Sequence, residues 1–269
     1  MQFARLNNVV IHHQLIGAPA GKPVIVFANS LGTDFRIWRD VIVRLAGDYA
    51  IVTYDKRGHG LSELGDAPHT IETHAADLAA LLDYLQVKSA IVCGLSIGGL
   101  IAQALYAART DLIQALVFCD TAHKIGTDEM WNGRIQSAMG EGIDSFADGV
   151  MEKWFTPEFH RSRADELAGY LTMLVRQPAA GYAAACAAIR DADFTTVARR
   201  IAVPTMVVVG DQDGSTPPPL VQSFAELIPG ARFELIANAA HIPCVEQPEA
   251  LVALIQDFLR REARESIHG

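Results

Sequence analysis

The chain has 269 residues, of which 50% are hydrophobic and 20% are charged, and its 22 Lys and Arg against 31 Asp and Glu give a formal net charge of −9 at pH 7. This composition excludes a disordered, collagen-like or coiled-coil protein. The acidic charge repels phosphate backbones and anionic lipid headgroups, so it argues against nucleic acid and membrane partners. Taken alone, it also argues against an anionic substrate.

Strand-like and helical patterns alternate along most of the sequence. A hairpin is predicted over 3–16, and apolar runs rich in Val and Ile predict buried strands at Val24–Ala28, Ala50–Tyr54, Ala90–Leu95, Ile113–Cys119 and Thr205–Gly210. The segment Arg232–Ile236 is also strand-like. Apolar residues at helical spacing predict helices over 74–85, 97–108 and 248–261. This alternation predicts an α/β fold with a mostly parallel, doubly wound sheet.

The segment 124–199 interrupts this alternation. It contains no strand-like run, only helical patterns broken by glycines and a proline. Because long connections without a function are uncommon, we predict a helical cap at 124–199, inserted into a core formed by 1–123 and 200–269. The alternative is a pair of ordinary crossover helices joined by long loops.

Residues 94–99 read Gly-Leu-Ser-Ile-Gly-Gly and match the pattern G-x-S-x-G. The motif lies directly between a predicted strand and a predicted helix, where the glycines allow a sharp turn that exposes the serine hydroxyl. The helix N-terminus also favours developing negative charge. Ser96 is therefore the predicted nucleophile, and the alternative is an incidental serine in a glycine-rich joint.

A serine nucleophile needs a base, and the chain has nine histidines. His241 follows the strand-like run Arg232–Ile236 and precedes the last predicted helix, so we predict that it is the base. His59 is the main rival. It lies in the segment Asp-Lys-Arg-Gly-His-Gly, and a glycine-flanked loop of this kind more often braces the rim of a site.

The base in turn needs an acid that holds its tautomer and stabilises the imidazolium. Asp213 follows the predicted strand Thr205–Gly210, which gives the chain order Ser96, Asp213, His241 that this motif requires. Asp211 is the near alternative and Asp120, after the preceding strand, is the more distant one.

Two backbone N–H groups are predicted to form an oxyanion hole. One belongs to Ile97, directly after the nucleophile, and the other to Leu31, in the loop after the strand Val24–Ala28. Ser30 in the same loop has no elbow around it, so we predict that it forms hydrogen bonds rather than attacks.

The assembled motifs make the chain resemble the α/β-hydrolase fold superfamily. They stand at 29–33, 54–60, 94–99, 210–213 and His241, and many esterases, haloperoxidases and carbon–carbon hydrolases share them. Narrower stretches are similar to the 3-oxoadipate enol-lactonases of aromatic-compound catabolism, namely 28–34, 131–134, 154–157 and 181–191. Asn29-Ser30 also stands where much of the superfamily has His-Gly.

The resemblance implies hydrolysis of 3-oxoadipate enol-lactone, a small anionic lactone, to 3-oxoadipate. Its carboxylate needs a cation in the site, and Arg134 in the cap is our first choice. Net charge describes the surface, whereas a covered pocket can hold arginines of its own. Trp131, Ser30 and Trp154 are expected to line the pocket, Trp154 also as part of the cap core. The arginines that remain open are Arg36, Arg57, Arg176 and Arg190.

Two other readings use the same residues. A broad-specificity carboxylesterase or cofactor-free haloperoxidase shares the triad, and a hydrolase-like ligand receptor with little turnover can keep it. Neither a dinucleotide fingerprint nor cysteine pairs at metal-binding spacing occur, so we expect no cofactor and no metal. The cysteines Cys93, Cys119, Cys186 and Cys244 are expected to be buried thiols, which together with an N-terminus that lacks a signal-like run predicts a cytoplasmic protein.

Overall fold

A computed structural model describes residues 1–18 and 21–268. Eight strands form one sheet in the order β1-β2-β4-β3-β5-β6-β7-β8, in which β2 runs antiparallel to β1 and β4 and all other neighbours are parallel. The strands are β1 (Gln2–Leu6), β2 (Val9–Ile16), β3 (Val24–Ala28), β4 (Ala50–Tyr54), β5 (Ala90–Leu95), β6 (Ile113–Cys119), β7 (Thr205–Gly210) and β8 (Arg232–Ile236). This confirms the predicted α/β fold with its mostly parallel sheet.

Twelve α-helices occur in the described ranges: α1 (Arg39–Leu45), α2 (Ile71–Tyr84), α3 (Ile97–Ala108), α4 (Asp128–Gly140), α5 (Ala147–Trp154), α6 (Pro157–Ser162), α7 (Ala164–Val175), α8 (Ala179–Arg190), α9 (Thr195–Ala198), α10 (Pro218–Leu227), α11 (Pro243–Glu246) and α12 (Pro248–His268). Short 3-10 helices lie at Phe35–Trp38, Thr110–Leu112 and Ile143–Phe146. Helices α4 to α9 all lie between β6 and β7, in the segment for which the sequence predicts a cap.

The local patterns explain most of these boundaries. Strands β3, β4, β5 and β7 are buried along their whole length, as expected for parallel strands covered on both faces. The turn of the hairpin lies at Asn7 and Asn8, whose φ angles of 45° and 65° are those of a tight hairpin turn. Helix α2 begins three residues before its predicted start, because Thr70 caps it through a reciprocal pair of bonds with Thr73.

The parallel strands bring four loops to one edge of the sheet. The carboxyl ends of β3, β5, β7 and β8 lead into the segments that carry Leu31, Ser96, Asp213 and His241 respectively. Strands that run parallel in one sheet end on the same side, so residues far apart in sequence meet there.

The segment 124–199 contacts the core at a point where both segments have a glycine. A Cβ atom added to Gly181 in α8 would clash with the carbonyl of Gly58 in the loop after β4, and one added to Gly58 would lie 2.8 Å from the Cα of Gly181. Two backbones can approach this closely only without side chains. Helix α8 is therefore seated directly on the core loop.

Candidate active site

Ser96 occupies a strained turn between β5 and α3. Its φ of 57° and ψ of −118° lie outside the ordinary regions for a residue with a side chain, at a cost of order 1–3 kcal/mol. The glycines of the motif make the turn possible, since a Cβ atom on Gly94 would clash with Gly98 and one on Gly98 would clash with the carbonyl of Ala28. Thr121 Oγ1 donates to the Ser96 carbonyl over 2.7 Å and fixes the turn from the β6 side.

His241 and Asp213 form a buried pair. Because a carboxylate only accepts, His241 Nδ1–H donates to Asp213 Oδ2 over 2.9 Å, and among the described residues the Nε2 atom has no protein partner. Three further donors hold the carboxylate: Ser215 N–H at 2.7 Å, Thr216 N–H at 3.1 Å and Thr216 Oγ1 at 2.6 Å. The arrangement orients the imidazole with Nε2 free to exchange a proton.

The environment of Asp213 favours its ionised form. Burial acts to raise the pKa of this carboxyl, but the neighbouring His241 and the hydrogen bonds from His241, Thr216 and Ser215 outweigh burial and lower the pKa below its ordinary value. Asp213 is thus a carboxylate that can stabilise an imidazolium.

The two alternative acids have other partners. Asp211 accepts the Ala239 N–H over 3.2 Å and so supports the loop before His241. Asp120 is buried and accepts the Gly210 N–H over 2.9 Å. Burial, followed by repulsion from Asp213, raises its pKa well above the ordinary value and so favours the neutral carboxyl.

Asp120, Asp213 and His241 are also the residues that could approach a metal ion together, since one ligand atom of each lies within 4.8 Å of the others. Two of them are already engaged, because His241 Nδ1 is bonded to Asp213. The geometry is that of a hydrogen-bonded acid–imidazole pair with a buried carboxyl beside it.

The predicted oxyanion donors lie on two turns beside Ser96. Among the described residues, neither Leu31 N–H nor Ile97 N–H has a protein acceptor. The Leu31 turn is closed by Thr33 N–H donating to Ser30 O over 3.4 Å, with Gly32 in third place at φ +74°, which is typical of a type II turn. Both N–H groups are thus available to a ligand.

His59, the rival base, braces this turn. Its Nε2 accepts the Gly32 N–H over 3.1 Å, and the side chain is fully buried outside the cavity that contains Ser96. Burial lowers its pKa well below the ordinary value, and the nearby Lys56 lowers it further. His59 is a neutral acceptor in this position.

A cavity of about 90 Å³ unites most of the predicted site residues. Strand-end loops and helices α4, α5 and α8 line it through Ser30, Leu31, Ser96, Ile125, Met130, Trp131, Arg134, Val150, Lys153, Trp154, Tyr182, Ser215, Thr216 and His241. Trp131 is fixed by its Nε1–H, which donates to Ile125 O over 2.7 Å. Trp154 is buried and packs edge-to-face on Phe155, so it serves the helical core as well as the cavity wall.

Arg134 is held at this cavity by two aromatic residues. Its Nη1 donates to the Tyr182 hydroxyl over 3.2 Å, and its guanidinium carbon lies 4.6 Å from the centre of the Phe146 ring. Neither partner neutralises the charge, so a guanidinium is available to an anion. Lys153 adds a second cation to the lining.

The four other arginines that the sequence left open lie elsewhere. Three are paired with carboxylates, namely Arg36 with Asp34, Arg57 with Asp77 and Arg190 with Asp191. The fourth, Arg176, lines a separate cavity together with Gly169 and Thr172. None of the four borders the cavity that contains Ser96.

Sequence reasoning missed several residues of this site. Thr216 and Ser215, which hold Asp213, follow it directly and were open to prediction as a carboxylate-binding turn. Tyr182 lies in the stretch 181–191 that carries the resemblance, but the sequence assigned it no role, and Lys153 lies in none of the motifs. The four cysteines are free and buried, as expected for small apolar side chains.

Comparison with known proteins agrees with this geometry. A sequence model of the alpha/beta hydrolase family matches residues 9–254, and the chain belongs to that family. Within it, two 3-oxoadipate enol-lactonases of Acinetobacter baylyi are similar, one 33% identical over 95% of both chains and one 31% identical over 91% of both. An enol-lactonase of Burkholderia xenovorans LB400 is 36% identical and covers 96% of this chain and 100% of its own, with a TM-score of 0.93.

These findings confirm the resemblance on which the sequence interpretation rests. In the described part of the chain, none of the helices is both long and apolar enough to cross a membrane.

Proposed function

We propose that this protein hydrolyses 3-oxoadipate enol-lactone to 3-oxoadipate with Ser96, His241 and Asp213 as its catalytic triad. The observation that carries the proposal is a cation, Arg134, in the same cavity as Ser96 and His241, with no carboxylate partner among the described side chains. An anionic lactone has a carboxylate that can pair with Arg134 and a carbonyl group that can meet Ser96. The names of the enol-lactonases similar to this chain support the choice of substrate.

Acylation begins at the lactone carbonyl. The Ser96 oxygen forms a bond to the carbonyl carbon while its proton passes to His241 Nε2 and the carbonyl electron pair moves to oxygen. The N–H groups of Leu31 and Ile97 bind that oxyanion, and Asp213 stabilises the imidazolium. The pre-formed turns supply these donors without rearrangement.

Collapse of the intermediate breaks the ring C–O bond. The electron pair leaves on an enol oxygen, a better leaving group than a simple alkoxide, and the proton on His241 neutralises it. The enol then ketonises, which removes the tethered nucleophile that could close the ring again. Water deprotonated by His241 attacks the acyl-enzyme, releases 3-oxoadipate and restores Ser96.

Helices of the segment 124–199 provide the walls of the site. We infer that this segment acts as the cap that selects the substrate, because Trp131, Arg134, Lys153, Trp154 and Tyr182 all come from it. A carboxylate paired with Arg134 places the charged end of the substrate against the cap and the lactone carbonyl toward the core.

The enol-lactone is expected to be hydrolysed with a kcat/KM about 10- to 100-fold higher than that of p-nitrophenyl butyrate, because hydrogen bonds to a charged group contribute about 1.5–3 kcal/mol that a neutral ester cannot gain. Loss of the ultraviolet absorbance of the enol-lactone and release of p-nitrophenol measure the two rates. Comparable values would favour a broad esterase, and turnover of neither compound would favour a ligand receptor.

Replacing Arg134 with glutamine is expected to raise KM for the enol-lactone by about 10- to 100-fold with little change in kcat, because the lost ion pair acts on binding of the remote carboxylate. KM for p-nitrophenyl butyrate should stay within about twofold, since this ester has no charge to lose a partner. Initial-rate kinetics on both substrates provide the test.

Arg190→Gln is the matched control for this variant. Arg190 lies on α8 of the same segment but is paired with Asp191 and Asn132 outside the cavity. An unchanged lactone KM in Arg134→Gln, or an equal rise in Arg190→Gln, would show that Arg134 does not bind the carboxylate.

A further inference from the structure

The peptide unit between Ser30 and Leu31 is bonded at its carbonyl end to a buried cation. Lys56 Nζ donates to Ser30 O over 2.6 Å, and the same oxygen accepts Thr33 Oγ1 over 2.9 Å and Thr33 N–H over 3.4 Å. The nitrogen end of this unit is the Leu31 N–H, the oxyanion donor of the proposed function.

Burying the charged amine of Lys56 costs free energy. The residue is only 2% exposed, and its hydrogen bonds go to two backbone carbonyls, Ser30 O and Thr33 O, rather than to a carboxylate. A buried ammonium bonded to neutral acceptors loses much of its hydration energy. Burying this lysine therefore costs the fold more than burying a neutral side chain would.

The neighbouring groups preserve the charge of Lys56 below neutral pH. Burial lowers the pKa of its amine to about 7, while the carboxylates of Asp55 and Asp34 act to raise it. His59 and His74 are neutral neighbours, because burial holds the pKa of each well below its ordinary value. In slightly acidic buffer the ammonium is therefore the prevailing form.

We propose that Lys56 is a positioning residue that strengthens the oxyanion hole through the Ser30–Leu31 peptide. A cation bonded to the carbonyl oxygen polarises the whole amide, so its N–H becomes a better donor. The fixed charge behind the peptide also favours the negative oxygen of the tetrahedral intermediate, more than it favours the neutral ground-state carbonyl. The inference rests on the proposed roles of Ser96 and Leu31 but not on the identity of the lactone.

The test compares three variants with p-nitrophenyl acetate in slightly acidic buffer. Lys56→Met removes the cation and is expected to lower kcat by about 10- to 100-fold with KM within about threefold, since deleting a whole oxyanion donor costs about 10²–10³. Thr33→Val removes a neutral donor from the same carbonyl and is expected to lower kcat by less than about fivefold. Lys56→Gln keeps a donor without charge and guards against failure of Lys56→Met to fold, with an expected loss of at least about tenfold.

Phenylboronic acid distinguishes this role from a merely structural one. It adds to a serine nucleophile to form a tetrahedral adduct, so its Ki should rise in Lys56→Met by the factor by which kcat falls, whereas KM for p-nitrophenyl acetate should stay within about threefold. Full kcat in Lys56→Gln, equal losses in Lys56→Met and Thr33→Val, or an unchanged boronate Ki would overturn the proposal. Wild-type protein that binds the boronate but leaves the enol-lactone intact would count against the proposed substrate alone.

Discussion

Ser96→Ala is expected to lower kcat for the enol-lactone by about 10⁶-fold, because loss of the proposed nucleophile removes the covalent route and leaves His241 and Asp213 with no serine to activate. The fold should survive, since the hydrogen bonds of Ser96 to the described residues use its backbone, from its N–H to Cys119 O and from Thr121 to its carbonyl. Alanine also removes only the hydroxyl from the turn. Initial rates at high enzyme concentration measure the residual activity, and circular dichroism verifies the fold.

Ser30→Ala is the matched control, because Ser30 lines the same cavity with a second hydroxyl but lies on an ordinary turn. It should keep kcat within about tenfold, consistent with the loss of a single hydrogen bond. Diisopropyl fluorophosphate should add one phosphoryl group to wild-type protein and to Ser30→Ala, and none to Ser96→Ala, as read by intact mass. A large loss confined to Ser30→Ala would move the nucleophile to the loop after β3.

The parts of the fold that sequence predicts well are those with a local cause. The strand Val24–Ala28 is apolar throughout because helices cover both faces, and its burial can be read from five consecutive residues. The nucleophile elbow is equally local, since a strand, two glycines and a helix adjoin in sequence. Leu31 and Ile97 are predicted as backbone donors from their positions after strands, whatever their side chains, and their role as oxyanion donors stays a prediction.

The parts that sequence could not predict depend on contacts between distant segments. Arg134 and Tyr182 are 48 positions apart on different helices, and no spacing announces their hydrogen bond. Lys56 stands beside Arg57 in a charged, glycine-rich segment typical of a surface loop, yet its amine reaches Ser30, 26 positions earlier, in the interior. Such pairs arise only when the sheet edge and the helical segment come together.

Asp213→Asn is expected to lower kcat by about 10⁴-fold, by analogy with the same change in other triads. The amide can turn its NH₂ group toward His241 Nδ1. This nitrogen then accepts a hydrogen bond, so the ring proton lies on Nε2, and Nε2 cannot serve as a base. The substitution also removes the negative charge that stabilises the imidazolium. Initial rates with the enol-lactone and with p-nitrophenyl butyrate should fall together, because both need the same base.

Asp120→Asn tests whether Asp120, which follows β6, rather than Asp213 is the acid that supports His241. Burial raises the pKa of Asp120 and favours its neutral form, which an amide of the same size reproduces, so kcat should stay within about tenfold. The same variant tests the protonation of Asp120 through stability. The pKa of Asp120 is higher in the folded protein than in the unfolded chain, so protonation of Asp120 stabilises the fold fully below the unfolded pKa of about 4, and this stabilisation is lost as pH rises toward the folded pKa. The Asp120→Asn protein has no such loss, so its thermal midpoint should exceed that of wild type at neutral pH and match it near pH 4. Retained activity in Asp213→Asn together with a collapse in Asp120→Asn would assign the acid to β6 instead.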